Sequence, residues 1–257
     1  MNVKLTIGAV TAVLIMFSGC SDKDSANACS YEISQALDKK DYDNVINNTN
    51  SCSGFSEDEK NMNLGAAYFG KAGYTVTSLV SDLASGDSGN ESGSDLFLKS
   101  FAKKGSQNSY DNLVLSEDFY TSIIPSSSCI GVGVLTQLEK DACFNIGLVQ
   151  MARGASTIAL LFSNENDLDT WLDGGAANIN TSATLSDGTT VSDAIATSLE
   201  EGIDTVVAIL PKKDDGDDAD ITEDSKDVKD EIFKNSSCST VITGNCVNQY
   251  VQNTNSN

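Results

Sequence analysis

Apolar residues recur at helical spacing along most of this chain, and the pattern predicts an all-α fold built of antiparallel helical hairpins. The three longest patterns predict helices over Ser56–Leu83, Thr136–Phe162 and Val191–Leu210. Shorter patterns predict helices over Cys29–Lys39, Tyr42–Asn48, Leu96–Lys104, Leu113–Ile124 and Leu168–Leu172. Ser56 and Glu59 have the spacing of a capping box, which fixes the start of the first long helix. No segment keeps the two-residue alternation that a substantial sheet requires.

Two of the predicted helices carry similar sequences. Asn63–Ser81 and Asn145–Ser163 align without a gap, and five positions are identical: Asn63/Asn145, Gly65/Gly147, Thr75/Thr157, Leu79/Leu161 and Ser81/Ser163. An internal duplication with two long central helices explains this match. Chance similarity between two helices rich in alanine and glycine is the alternative. The first copy also clusters small residues, which are expected where another helix packs closely: Gly65, Ala66, Gly70 and Gly73.

The first predicted hairpin contains the run QALDKKDYDNVI, residues 35–46. This run resembles the turn of tetratricopeptide repeats, in which two antiparallel helices meet around a short segment with Asp and Tyr. Leu64-Gly65 followed by Tyr68 has the spacing of the first helix of that repeat, whereas its later Ala and Pro positions are missing. The resemblance covers about a quarter of the chain. It implies tetratricopeptide-like hairpins and a module that binds other molecules.

The N-terminus predicts export. Lys4 precedes the apolar run Leu5–Phe17, which is too short to remain as a membrane span and is typical of a cleaved signal. The next residues, Phe17-Ser18-Gly19-Cys20, resemble the lipobox of bacterial lipoproteins, with Phe17 in place of the usual Leu. The resemblance implies that Cys20 becomes the first mature residue and carries acyl chains. No cofactor is expected besides this covalent lipid. An ordinary signal peptide is the alternative.

The lipobox also implies a cellular location for the mature protein and a division of the chain into segments. Ser21, rather than Asp, after Cys20 implies an outer-membrane lipoprotein facing the periplasm, although the sorting rule differs between phyla and leaves the inner membrane open. The expected organisation is a signal peptide (1–19), a polar tether (20–28) and one helical domain (29–257). That domain divides into approximate repeat units 29–105 and 106–210 and an acidic C-terminal region, 211–257.

Charge excludes one class of partner. Removing residues 1–19 takes away Lys4, so 15 of the 16 basic residues remain against 37 acidic ones, a net charge of −22. Nucleic-acid binding needs clustered Lys and Arg, so no nucleic-acid partner is expected. Such acidity also opposes adhesion to anionic lipid, so attachment to the membrane depends on the acyl chains. A protein or small-ligand partner in the envelope remains open.

The cysteines predict disulfides. With Cys20 lipidated, six remain, an even number in an exported chain, and fifteen connectivities are possible. The pairing local in sequence is the simplest: Cys29–Cys52, Cys129–Cys143 and Cys238–Cys246. A zinc site is the alternative, but the chain has neither CxxC spacing nor any histidine.

Candidate chemistry is sparse. The absence of histidine removes Ser-His-Asp and Cys-His catalysis, so a non-catalytic protein is expected. A carboxylate-dependent envelope enzyme is one alternative. The other is a structural protein that binds calcium in the acidic run 213–224, which nevertheless fits no EF-hand register; a disordered acidic loop before a helix is the expected structure.

The duplication suggests one ligand site. Lys71 and Arg153 occupy equivalent positions among small and apolar residues, and a cation there would bind a carboxylate or phosphate between the long helices. Their aliphatic stems also allow both cations to reach the surface instead, and this is the simpler interpretation. Tyr68, Tyr74 and Gln150 are expected on the same helix surfaces. These five residues form the predicted groove.

Overall fold

The computed structural model describes residues 26–79, 93–131, 133–209 and 220–254. The predicted signal peptide, Cys20, the first part of the tether and much of the acidic run lie outside these residues. In the described part the fold is all-α, with two isolated β-bridges and no strand. The helices are α1 (Ala26–Asp38), α2 (Tyr42–Asn48), α3 (Glu57–Lys71), α4 (Gly93–Lys104), α5 (Gln107–Thr121), α6 (Ser126–Cys129), α7 (Gln137–Thr157), α8 (Glu165–Leu172), α9 (Val191–Ile209), α10 (Asp220–Lys234) and α11 (Gly244–Asn253). Short 3-10 turns cover Thr49–Ser51 and Ile158–Leu161.

Helix α7 is the centre of the fold. Helices α4, α5 and α9 pack on it directly, α3 packs on the far side of α5, and α11 packs on α9. Helix α10 packs on both α4 and α9. Most side chains of α7 are buried, because neighbours cover it on several sides. A single large core therefore runs from Phe69 on α3 to Val251 on α11.

Glycines let α7 and α9 approach closely. A Cβ atom placed on Gly202 would lie 2.7 Å from the backbone nitrogen of Met151 and 2.8 Å from the backbone oxygen of Gly147. One placed on Gly154 would lie 2.6 Å from the Cγ atom of Leu199. Real Cβ atoms rarely approach other heavy atoms so closely, so these positions require glycine. The close packing predicted around Gly65 and Gly70 is confirmed as well, because Cβ atoms there would clash with the rings of Tyr120 on α5 and Tyr42 on α2.

The N-terminal hairpin has a small core of its own. Helices α1 and α2 bury Ile33, Ala36 and Val45 against Ala67 of α3. The Cys29–Cys52 disulfide joins α1 to the end of α2, with Cα atoms 5.6 Å apart. Helix α1 begins at Ala26, so the last residues of the predicted tether are helical instead.

All three predicted disulfides are present. Besides Cys29–Cys52, the structure pairs Cys129 with Cys143 and Cys238 with Cys246. The second pair fastens α6 to the N-terminal part of α7, and the third closes the loop before α11. The pairing local in sequence is thus confirmed.

The capping boxes are where local sequence places them. Ser56 Oγ accepts from the Glu59 amide, and the Glu59 carboxylate accepts from the Ser56 amide at 2.8 Å. Helix α7 starts with an equivalent pair, Thr136 and Glu139. Helix α5 starts earlier than predicted, at Gln107, because Ser106 caps it by accepting from the Ser109 amide at 3.1 Å.

The continuous helix predicted from Ser56 to Leu83 is wrong. Helix α3 ends at Lys71, and Gly73 adopts a φ of +96°, which a side chain would strongly disfavour. The amide of Tyr74 donates to the Phe69 carbonyl at 3.2 Å, and that of Gly73 donates to Gly70 at 3.0 Å. This pair of bonds is a Schellman motif, completed by the contact between the Tyr74 and Phe69 rings. Residues 76–79 then begin a new helical turn.

Two expectations for the C-terminal region also fail within the described residues. The acidic segment from Asp220 is not a loop, because it belongs to α10, which buries Val228 and Ile232. The polar composition of Asn248–Asn257 predicts a frayed tail, but this segment lies in α11 as far as Asn253 and buries Tyr250 and Val251 in the main core. Apolar residues at helical spacing outweigh the polar composition of both segments.

Candidate binding groove

The structure separates Lys71 and Arg153, the two cations that the sequence alignment pairs. Lys71 lies at the C-terminus of α3 and donates to Asp43 of α2 at 2.7 Å, on an exposed surface. Arg153 lies on α7 and forms an ion pair with Glu117 of α5, and both side chains are largely buried. Helices α3 and α7 have α5 between them, so they form no shared groove. The five predicted groove residues therefore do not form one site.

Tyr68 and Tyr74 have packing roles. The Tyr68 ring stacks on Phe119 of α5, with centroids 5.5 Å apart. Tyr74 is fully buried, stacks on Phe101 at 4.7 Å, and donates its hydroxyl to the Phe101 carbonyl at 3.3 Å. Burial raises the pKa of Tyr74 far above that of an exposed tyrosine, so it stays neutral. Neither side chain belongs to a ligand site with Arg153.

Gln150 and Arg153 do share a site with residues that the sequence pattern did not single out. They lie one turn apart on α7, facing α5 on one side and α9 on the other. Arg153 donates from Nε to Ser198 Oγ at 2.9 Å and from Nη1 to Glu117 Oε2. Gln150 donates from Nε2 to Glu117 Oε1 at 2.8 Å and to Glu201 Oε2 at 3.3 Å. The α7 side chains thus bridge its two neighbours.

These contacts join α5, α7 and α9 in one polar cluster. In the described part of the chain, α5 and α9 each pack extensively on α7 and have at most marginal contact with each other. The interval between them is lined by polar groups of three helices, which we call the polar groove: Tyr110, Glu117, Gln150, Arg153, Ser198 and Glu201. Gln150 is fully buried at its floor, whereas Glu201 is exposed at its rim. The polar groove replaces the predicted groove between the two long helices.

The polar groove is acidic. The carboxylates of Glu117 and Glu201 face one guanidinium, that of Arg153, which leaves one excess negative charge. Partial burial raises the pKa of Glu201, the Glu117 carboxylate raises it further, and Arg153 opposes both. Because Arg153 is already engaged by Glu117, it is a poor receptor for the carboxylate or phosphate ligand that the sequence suggested. Burial also raises the pKa of Tyr110 beside this group.

The described residues show neither a metal site nor a helix suited to crossing a membrane. No group of three or more Asp, Glu, Cys or His side chains there is arranged to hold a metal ion. The part of the acidic run at 213–219 lies outside those residues. Among the described helices, none combines the length and apolar character that crossing a bilayer requires.

A separate cavity of about 230 Å³ lies beside the Cys129–Cys143 disulfide. Its lining includes Leu135, Lys140 and, from the end of α9, Ala208 and Ile209. Val134 at its edge is fully exposed. The cavity is thus a surface feature with a single charged side chain, that of Lys140, among its lining residues, and the polar groove offers the richer set of directed polar contacts.

Comparison with known proteins assigns no family. No protein-family model matches the chain, and neither a curated protein nor a solved structure shows significant similarity to it. The functional argument therefore depends on the geometry of this molecule.

Proposed function

We propose that this chain is a lipid-anchored binding or assembly protein of the bacterial envelope without catalytic activity of its own. Acyl chains on Cys20 would hold it to the outer membrane, and the helical domain would face the periplasm. The three disulfides support this location, since such bonds persist in oxidising compartments. The tetratricopeptide-like character and the duplication belong to the same proposal.

The observation that carries a binding role is the polar groove. Helices α5 and α9 flank α7 with at most marginal contact between them, and the surface between them presents exposed Glu201 and half-buried Tyr110. Buried polar groups at its floor hold α5 and α9 at a fixed spacing through α7, so the groove is preorganised. Its excess negative charge favours a partner segment with basic or other hydrogen-bond-donating side chains.

Carboxylate catalysis is the second candidate, and one observation favours it. Glu117 and Glu201 accept from the same Gln150 nitrogen at 2.8 and 3.3 Å, which places the two accepting oxygens no more than 6.1 Å apart. However, both oxygens of Glu117 are engaged, one by Gln150 and the other by Arg153. A general acid or base must be free to exchange a proton with substrate, so this pair is better suited to holding helices together.

The anchor is tested by replacing Cys20. Cys20→Ala should abolish metabolic acyl labelling and move the protein from the membrane to the soluble fraction. Continued labelling would refute the lipobox assignment.

The binding role is tested by affinity isolation from solubilised envelopes, with proteins and small molecules identified in the same sample. Glu201→Lys reverses a charge at the rim and should remove a specific partner. Lys71→Glu, a charge reversal outside the polar groove, should retain it. Equal recovery with both variants would contradict a groove-mediated role, and hydrolytic activity lost in Glu201→Gln would favour the enzyme instead.

A further inference from the structure

Gln150 carries an unusual hydrogen-bond deficit. Its side chain is fully buried, and its Oε1 atom has no hydrogen-bond partner among the residues that the structure describes. Its Nε2 group, by contrast, donates to two carboxylates, those of Glu117 and Glu201. Exchanging the amide oxygen and nitrogen would place the oxygen against both carboxylates, so the present orientation is the better one. A buried acceptor without a donor is costly, which points to a missing proton donor.

Glu201 is the group placed to supply that donor. It already accepts from the Gln150 amide, and a carboxylic acid beside a primary amide can form a ring of two hydrogen bonds. Glu117 cannot do so, because Gln150 and Arg153 occupy both of its oxygens. A protonated Glu201 would also remove the repulsion between two carboxylates that share one amide.

We propose that Glu201 and Gln150 form a proton-binding site that links the contact between α7 and α9 to pH. In the protonated state, Glu201 donates its O–H to Gln150 Oε1 and accepts from Gln150 Nε2. In the ionised state, only the second bond remains and the buried oxygen is unpaired. The ligand is a proton from solvent, and no other reactant is needed.

The groups that face Glu201 set the direction of this response. Glu117 on α5 opposes ionisation of Glu201, Arg153 on α7 favours it, and Tyr110 on α5 stays neutral. Partial burial is the largest of these influences, and together they raise the pKa of Glu201 above its ordinary value of 4.5. The stabilisation is therefore fully present below pH 4.5 and is lost as the pH rises through the higher folded pKa. The two carboxylates titrate as a coupled pair.

Acidification would thus tighten the wall of the polar groove formed by α9, and neutral pH would loosen it. This consequence would regulate the proposed binding site. Proton binding itself is independent of whether the groove has a partner, so failure of one proposal leaves the other standing.

The test uses the full chain purified in detergent and the variant Glu201→Gln. A glutamine at this position reproduces the neutral acid, since its amide donates to Gln150 Oε1 and its carbonyl accepts from Gln150 Nε2. We expect this variant to have a higher melting temperature than the wild type at pH 7.5 and the same melting temperature at pH 4. Glu32→Gln, which removes an exposed carboxylate on α1, is the control and should not change this pH dependence.

Carbon-13 NMR gives a second, direct readout. The side-chain carbonyl signals of Glu201 and Gln150 should move together, with a common midpoint above 4.5. A Gln150 signal that does not titrate with Glu201, or a Glu201 midpoint at or below 4.5, would overturn the proposal. Equal or lower stability of Glu201→Gln at pH 7.5 would overturn it as well.

Discussion

Replacing Gly202 by alanine tests the contact that holds α7 and α9 together. The added Cβ atom would lie 2.7 Å from the Met151 nitrogen and 2.8 Å from the Gly147 oxygen. Both are backbone atoms of the central helix, so the clash cannot be relieved by a change of side-chain rotamer. The two helices must therefore move apart.

The geometry sets the size of the effect. Ordinary van der Waals contact begins at 3.4 Å, so the local spacing must grow by about 0.7 Å. Overpacking of this kind costs about 1–3 kcal/mol. Because the clashing atoms are backbone atoms, the cost should lie in the upper part of that range, at about 2–3 kcal/mol. Alanine recovers about 1 kcal/mol of helix propensity, which leaves a net loss of about 1–2 kcal/mol. For a chain of this length, each kcal/mol lowers the melting temperature by about 2–4 °C.

Urea unfolding followed by the fluorescence of Trp171, which is fully buried, measures this loss. Gly131→Ala is the control, because a Cβ atom placed there would lie no closer than 3.4 Å to a described heavy atom, which is ordinary contact, and the φ of Gly131 is not positive. We expect a loss of no more than a few tenths of a kcal/mol in this control. A Gly202→Ala protein as stable as the wild type would refute the conclusion that backbone contact sets the spacing of α7 and α9.

Three further predictions concern stability. Arg153→Met leaves the largely buried Glu117 carboxylate without its partner and should cost about 3 kcal/mol in urea unfolding; adding Glu117→Gln should recover part of that loss, and a loss below about 1 kcal/mol would contradict a buried pair. Replacing Cys129 and Cys143 together by serine opens a loop of sequence separation 14 and should cost about 3 kcal/mol; an unchanged unfolding midpoint would show that the bond is not formed in solution. Burial raises the pKa of Tyr120, so stability should fall as the pH rises above about 10, where tyrosine ionises in the unfolded chain; pH-independent stability up to about pH 11 would contradict this.

Local features of the fold could be predicted from the sequence. The Ser56 capping box and the start of α9 at Val191 follow from spacings of a few residues. The disulfides follow from pairing each cysteine with its neighbour along the chain, at separations of 23, 14 and 8 residues. The end of α3 was readable too, since glycine at 73 followed by an apolar Tyr74 is the signature of a Schellman motif. The continuous helical pattern through this glycine favoured the wrong prediction.

Only some residues of the polar groove could be predicted from the sequence. Gln150 and Arg153 stand out as polar side chains in an apolar helix, but their partners are separated from them by 33 to 51 residues. Which helix supplies a partner depends on packing that no local pattern specifies. Ser198 is a polar residue at a buried position of α9, but Ser192 and Thr205 of the same helix are buried as well, so this signal does not single it out. The apparent equivalence of Lys71 and Arg153 was misleading because α5 separates their helices.

The most direct test of the central claim is site-specific photocrosslinking in living cells. A photoreactive phenylalanine at Tyr110, on the wall of the polar groove, is compared with one at Tyr31, which is 64% exposed on α1 and lies outside the groove. A binding role through the groove predicts a discrete adduct from position 110 that disappears with Glu201→Lys, and none of that size from position 31. An adduct from position 31 alone, or one from position 110 that survives Glu201→Lys, would contradict it.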